Sequence, residues 1–260
     1  MRGKLIIALG IFLAFAGIFC QQVSAAFVDG IERFDGTVKD TETWEEYSSP
    51  PEGEVYQNNK LIFSNSTGEG IDCTTRNITV GVGDIVRVEL LEHPSGLYAY
   101  STLYLTTNSE GANRSTVMDD HFLLLTYSYV NIIAPGLEPG YYFAAGSGSL
   151  GRAKIQFFGK DSPPPSPSNP LILQIERTSS DSAVFSAFTS DMTLIDSMIS
   201  SFRFRGVPDN LFISLYSLGG QGGYTVFDNV TIIPEPATVL LLGLGGLAMR
   251  RINRRGRKER

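Results

Sequence analysis

The chain has 260 residues, 42% of them hydrophobic and 18% charged, with 27 Asp+Glu against 21 Lys+Arg. That length can bury a sizeable core, and the acidic balance excludes a nucleic-acid-binding surface, because like charge is repelled by phosphate. Only Cys20 and Cys73 are present, so a disulfide-dense scaffold is excluded too.

From the N-terminus, Arg2 and Lys4 precede an apolar run from Leu5 to Phe19, followed by the small residues Val23-Ser24-Ala25-Ala26. This is the three-part pattern of a secretory signal over residues 1–25, with signal peptidase expected to cut after Ala25 or Ala26. The run is shorter than the roughly 20 residues a spanning helix needs. A lipid-modified Cys20 would want a small residue before it, and Phe19 stands there. Cys73 then remains as the single cysteine of the exported part and reads as a small buried hydrophobe. Without the signal and the basic end from Arg250, the middle carries 12 basic and 26 acidic residues, a net charge of −14.

Residues 26–233 read as all-β. Strand-like segments bounded by Gly, Pro, Asn and Asp recur at Lys60–Ser64, Asn77–Val80, Ile85–Leu91, Leu97–Thr106, His121–Ile133 and Lys154–Phe158. They continue at Leu171–Arg177, Ser182–Thr189, Ser201–Arg205, Leu211–Leu218 and Tyr224–Ile232. Val86, Val88 and Leu90 alternate with Arg87 and Glu89, as in a half-buried strand. Asp191–Ser200 alone has a helical look. Eleven strands in about 200 residues predict two packed antiparallel sheets. Ser162–Pro170 is proline-rich and extended. It reads as a surface loop inside one domain rather than a linker, because residues 171–233 alone would make a thin core.

The last 27 residues have three parts. Pro234-Glu235-Pro236 ends the final strand, an apolar stretch runs from Ala237 to Met249, and a basic end follows with Arg250, Arg251, Arg254 and Arg255. The apolar stretch is expected to be a short membrane-entering helix, and the arginines are expected to stop it from crossing. This order resembles the PEP-CTERM sorting signal of exopolysaccharide-producing bacteria. The resemblance covers residues 234–255 and implies an exosortase-type membrane peptidase as partner, which processes the chain near the PEP motif.

The middle resembles the concanavalin A-like lectin/glucanase jelly roll. Phe34-Asp35-Gly36 with Thr43-Trp44, and Asn59-Lys60-Leu61-Ile62-Phe63, look like its first strands. Leu171–Arg177 with Ala183–Thr189 look like a mid-sheet pair, and Phe227-Asp228-Asn229-Val230 like its closing strand. The resemblance implies a two-sheet β-sandwich. Glucanases of this fold carry an E-x-D-x-x-E strand whose carboxylates share a face, and this sequence has none. Glu89 and Glu92, three apart, are expected on opposite faces of a strand. His93 and His121 lack partners at metal-ligand spacing. Gly146-Ser147-Gly148-Ser149-Leu150-Gly151 lacks the Lys of a phosphate loop and reads as a hairpin or flexible loop.

The strongest binding feature is aromatic. Tyr98, Tyr100 and Tyr104 share one face of a strand and offer rings for stacking sugars, against the alternative that tyrosines pack across strands. No cofactor is required. If an ion is held, Asp29, Asp35 and Asp228 are the oxygen donors the fold resemblance suggests for calcium. The expectation is an exported, non-enzymatic surface protein that binds carbohydrate or associates with exopolysaccharide. The alternatives are a structural surface protein without a ligand and, third, a glycoside hydrolase.

Overall fold

The computed structural model describes residues 30–48, 53–65, 70–95, 99–107, 121–130, 139–149, 154–180, 182–201, 210–219 and 223–234. Regular structure there is entirely strand. In chain order the strands are β1 (Ile31–Glu32), β2 (Trp44–Ser48), β3 (Gly53–Gln57), β4 (Leu61–Asn65), β5 (Gly70–Val80), β6 (Ile85–Glu92), β7 (Tyr100–Thr106) and β8 (His121–Val130). They continue as β9 (Gly140–Ser149), β10 (Lys154–Phe158), β11 (Leu171–Arg177), β12 (Ser182–Thr189), β13 (Leu194–Ser201), β14 (Leu211–Leu218) and β15 (Tyr224–Ile233). The expected signal helix and tail helix lie outside the described residues.

All pairings between these strands are antiparallel, and they form two sheets. Sheet A has eight strands in the order β13-β12-β11-β6-β15-β4-β3, with β1 added beside β15; sheet B has seven, β10-β9-β8-β7-β14-β5-β2. The sequence period explains the layering. In β6, Val86, Val88 and Leu90 are fully buried while Arg87 and Glu89 between them are not. Leu103, Leu105, Leu123, Leu125, Ile213 and Leu215 do the same for sheet B and meet Leu173, Ile175, Phe185 and Phe227 of sheet A in one core. Trp44 is buried against Phe34, ring centroids 5.5 Å apart. Strands on both sides of Ser162–Pro170 share the two sheets: β11 pairs with β6, and β14 lies between β5 and β7.

Three expectations are corrected. Asp191–Ser200 is not helical: β13 pairs along β12, and Met198 packs against the core while Ile199 points outward. An edge strand with one half-exposed face imitates a helical period over so short a window. Gly146-Ser147-Gly148-Ser149 is not a loop but the end of β9, paired with Leu124, Leu123, Phe122 and His121. Glu89 and Glu92 share a face, because a bulge in β6 intervenes. Glu92 pairs with Val226 and Glu89 with Asp228, two residues apart on β15.

β15 finishes at Ile233, opposite Ile85 at the start of β6, and Gly30 accepts a hydrogen bond from Ile232 N–H at 2.8 Å. Entry and exit of the described chain therefore lie at one end of the sandwich, termed the exit end. The β5–β6 turn at Gly81–Asp84 and the β11–β12 turn at Thr178–Ser182 belong to this end. Arg177 ties them, donating from Nη1 to Val80 O at 3.0 Å and accepting from Gly83 N–H at 2.6 Å.

Candidate functional site

Antiparallel register places side chains of opposite residues on the same face. On the outer face of sheet B one row runs Tyr47, Asp72, Tyr216, Thr102, Thr126, Ala144 and Phe157. The row beside it contains Thr74, Ser214, Tyr104 and Leu124, and the row on the other side contains Leu218, Tyr100, Ser128 and Tyr142. This face is a floor of hydroxyls among phenols. Thr74 donates to Ser214 at 2.9 Å, and Thr102 to Thr126 at 2.7 Å. Ser128 Oγ is buried and finds no hydrogen-bond partner among the described residues.

Tyr100 and Tyr104 stand on this face, both half-buried. Tyr98 lies outside the described residues. The ring cluster around Tyr104 runs across strands rather than along β7. Tyr104 meets Phe122 of β8 edge-on at 5.9 Å and Tyr216 of β14 edge-on at 5.8 Å. Burial, with Tyr216 and Asp72 adding to it, holds the Tyr104 phenol well above the ordinary tyrosine range. It therefore stays neutral and acts as a hydrogen-bonding group. Tyr216 and Asp72 were not singled out from sequence. Their alternation is readable in β14 and β5, but their meeting with Tyr104 depends on β14 inserting beside β7, a non-local pairing.

Carboxylates are few on sheet B. Among its strands they are Glu45, Glu46 and Asp72. Glu46 reaches Lys39 at 2.7 Å and receives the Val55 N–H, away from the floor. Glu45 shares the face with Asp72 and is ion-paired with Arg76 at 2.9 Å.

A second polar group crosses the interior. His93 Nδ1 lies 2.7 Å from Ser101 Oγ, which lies 3.1 Å from Thr225 Oγ1, which lies 2.7 Å from Ser217 Oγ. Ser101 and Ser217 belong to sheet B and Thr225 to sheet A, so the chain of hydroxyls joins the sheets at the end opposite the exit end. Tyr127 and Tyr141, stacked 5.4 Å apart, each present an edge-on contact to the His93 ring. Burial drives the His93 pKa down to about 3, so the ring is neutral. This group links the two sheets from the inner face of sheet B, opposite the floor.

Of the candidate calcium donors, Asp228 has its pKa raised by burial, and Asp35 lies near enough for its charge to add to that rise. Asp29 lies outside the described residues. Asp228 pairs in register with Glu89, which accepts from Asn229 Nδ2 at 2.9 Å. Burial raises the Asp228 pKa to about 6, offset by the Asn229 N–H it accepts and raised further by Glu89. Among the described residues no three His, Cys, Asp or Glu side chains converge on a metal position. Cys73 sits in the core, its thiol pushed up to about 12 by burial.

Of the tail, Pro234 is described and exposed. Glu235, Pro236 and the arginines at 250, 251, 254 and 255 lie outside the described residues, as do Ala25 and Ala26.

The model of the PEP-CTERM protein-sorting motif matches residues 233–258. No curated protein matches the chain. Solved structures share its fold. The catalytic domain of an endo-1,3-beta-glucanase (laminarinase) from Thermotoga petrophila RKU-1 is 12% identical, with a TM-score of 0.51 over 78% of this chain and 95% of that one. A pseudo beta-1,3-glucanase of Mycobacterium tuberculosis is 12% identical, with a TM-score of 0.53 over 78% and 97%. A legume lectin-like domain from Entamoeba histolytica is 7% identical, with a TM-score of 0.51 over 76% and 96%. At these identities the likeness establishes the concanavalin A-like sandwich and nothing finer.

Proposed function

We propose that this chain, carrying a PEP-CTERM sorting tail on a concanavalin A-like sandwich, is an exported surface protein whose sandwich binds glycan without cleaving it. The outer face of sheet B is the binding surface. The observation that carries this reading is its composition: Tyr100, Tyr104 and Tyr216 share the outer face with the hydroxyls of Thr102, Thr126 and Ser128 and with Asp72. Phenols and hydroxyls both donate and accept, which suits sugar hydroxyls, and aromatic rings suit the C–H face of a sugar. Hydrolysis by the family's route needs two carboxylates acting as nucleophile and acid. Glu45, the second carboxylate on this face, is held in an ion pair with Arg76 instead. Exopolysaccharide of the producing cell is the ligand class that fits a sorted surface protein, since weak contacts gain from repetition. Signal peptidase and an exosortase-type peptidase are its processing partners in this reading, and no cofactor is needed.

The test is affinity electrophoresis of residues 27–233 through neutral and acidic glycans, alongside a reducing-end assay. Retardation that is lost in Tyr100→Ala/Tyr216→Ala, with no sugar released, is the expected result. A wild type retarded by no glycan would leave the phenols a packing role, which the edge-on contacts of Tyr104 already serve. Released reducing ends that vanish in Asp72→Asn would make the protein a hydrolase.

A further inference from the structure

The PEP motif follows the last paired residue without a spacer. Ile233 is still in register with Ile85, and Pro234 is the next residue. The apolar stretch begins at Ala237, so at most about 14 Å of extended chain separates the folded sheet from the segment that enters the bilayer. Such a tether leaves the domain little freedom to turn away.

The surface beside that exit is built for close approach. Gly81–Asp84 precedes Ile85 in β6, the direct neighbour of Ile233, so this turn projects beyond the last pair to the level of the PEP motif. At its tip Val82 is 39% exposed, an apolar side chain turned to solvent. The one charged group of the turn is drawn back: Asp84 Oδ2 accepts the Gly81 N–H at 2.8 Å. The neighbouring turn presents the hydroxyls of Thr178, Ser179 and Ser180, with Asp181 as its one charged residue in the sequence. On a middle segment with a net charge of −14, these two tips carry two carboxylates, Asp84 and Asp181, of which Asp84 is hydrogen-bonded within its own turn.

From this we infer that the exit end of the sandwich, with Val82 at its tip, rests on the lipid surface while the tail is inserted. The strands then stand upright on the bilayer. The phenol floor faces sideways along the membrane, and the His93 end points away from it. The inference rests on the tail entering the membrane and adds an interaction surface to that reading.

Tryptophan quenching by brominated phosphatidylcholine tests it on the full chain reconstituted into vesicles, with the wild-type chain, whose single tryptophan Trp44 is buried, as the background to be subtracted. Val82→Trp is expected to lose most of its added emission in brominated vesicles. Ser168→Trp, in the loop at the opposite end, is expected to lose none. Ser180→Trp is the second exit-end variant should Val82→Trp not fold. Equal quenching at the two ends, or none at Val82 and Ser180 in chains that float with the vesicles, overturns the inference and leaves the tail reading standing. Chains that do not float overturn both. A Gly/Ser insert between Ile233 and Pro234 is expected to abolish the quenching while flotation persists. Quenching that survives the insert would show that the short tether does not set the orientation.

Discussion

His93 enters the folded state neutral, with a pKa of about 3 against 6.5 for the free side chain. Between those values the unfolded chain binds a proton that the native chain does not, so stability falls as pH drops through the window, by up to about 1.4 kcal/mol per unit. Asp228 works in the opposite sense. Its folded pKa of about 6 lies above the free value of 3.8, so the native state binds the extra proton there. Stability falls as pH rises from 3.8 to 6, and the penalty persists above. Asp228 is partly buried, and solvent screening reduces that penalty to about 1 kcal/mol. Asp228→Asn should therefore raise the urea midpoint at about pH 7.5 and leave it unchanged at about pH 3. Replacing His93 by Asn should remove the acid slope between about pH 6 and pH 4, measured by the same titration. A sequence does not disclose either shift. The histidine looks like any turn residue until β7, β8, β9 and β15 close around it.

At the scale of elements, the hydroxyl chain His93–Ser101–Thr225–Ser217 links the two sheets at the end opposite the chain's exit. Thr225→Val keeps the shape and leaves Ser101 and Ser217 each short of a partner. A loss of about 1–3 kcal/mol in urea unfolding is expected, because buried polar groups without partners bear their desolvation cost. On β13 the alternation makes a second prediction. Met198→Ala should cost about 1–3 kcal/mol, whereas Ile199→Lys should change stability by less than about 0.5 kcal/mol, as suits a charged residue on an edge strand. Comparable losses at both positions would fit a helix and contradict the strand. The alternation of Val86, Val88 and Leu90 was legible because one face of β6 is apolar and the other is not. That of β13 was obscured by Leu194, Ile195, Met198 and Ile199, which put apolar side chains on both faces of an edge. The bulge that brings Glu89 and Glu92 together was illegible, since nothing in Glu89-Leu90-Leu91-Glu92 distinguishes a bulged strand from a regular one. For the site, Tyr100 and Tyr104 could be read from their spacing, but Tyr216 and Asp72 could not be joined to them without the sheet order.

Among the described residues, strands from both sides of Ser162–Pro170 share one core, so the sandwich should unfold in a single step. Trp44 fluorescence reports on the N-terminal part, and amide exchange in β12 reports on the part after the loop. Their urea transitions are expected to coincide. Separate midpoints would mean two cooperative units.

The strands nearest the C-terminus occupy interior positions. β14 lies between β7 and β5, and β15 lies between β6 and β4. A chain that emerges from a pore N-terminus first therefore exposes two incomplete sheets until almost its last residue of the domain is through. Neither sheet can close early, and pairing over such long separations is slow. Closure of the fold and arrival of the PEP motif at the membrane then become neighbouring events in time. A chain stalled or truncated before Leu211 would remain a set of open edges, exposed to proteases and to its own copies. The order in which the strands are written thus makes completed export a condition of folding.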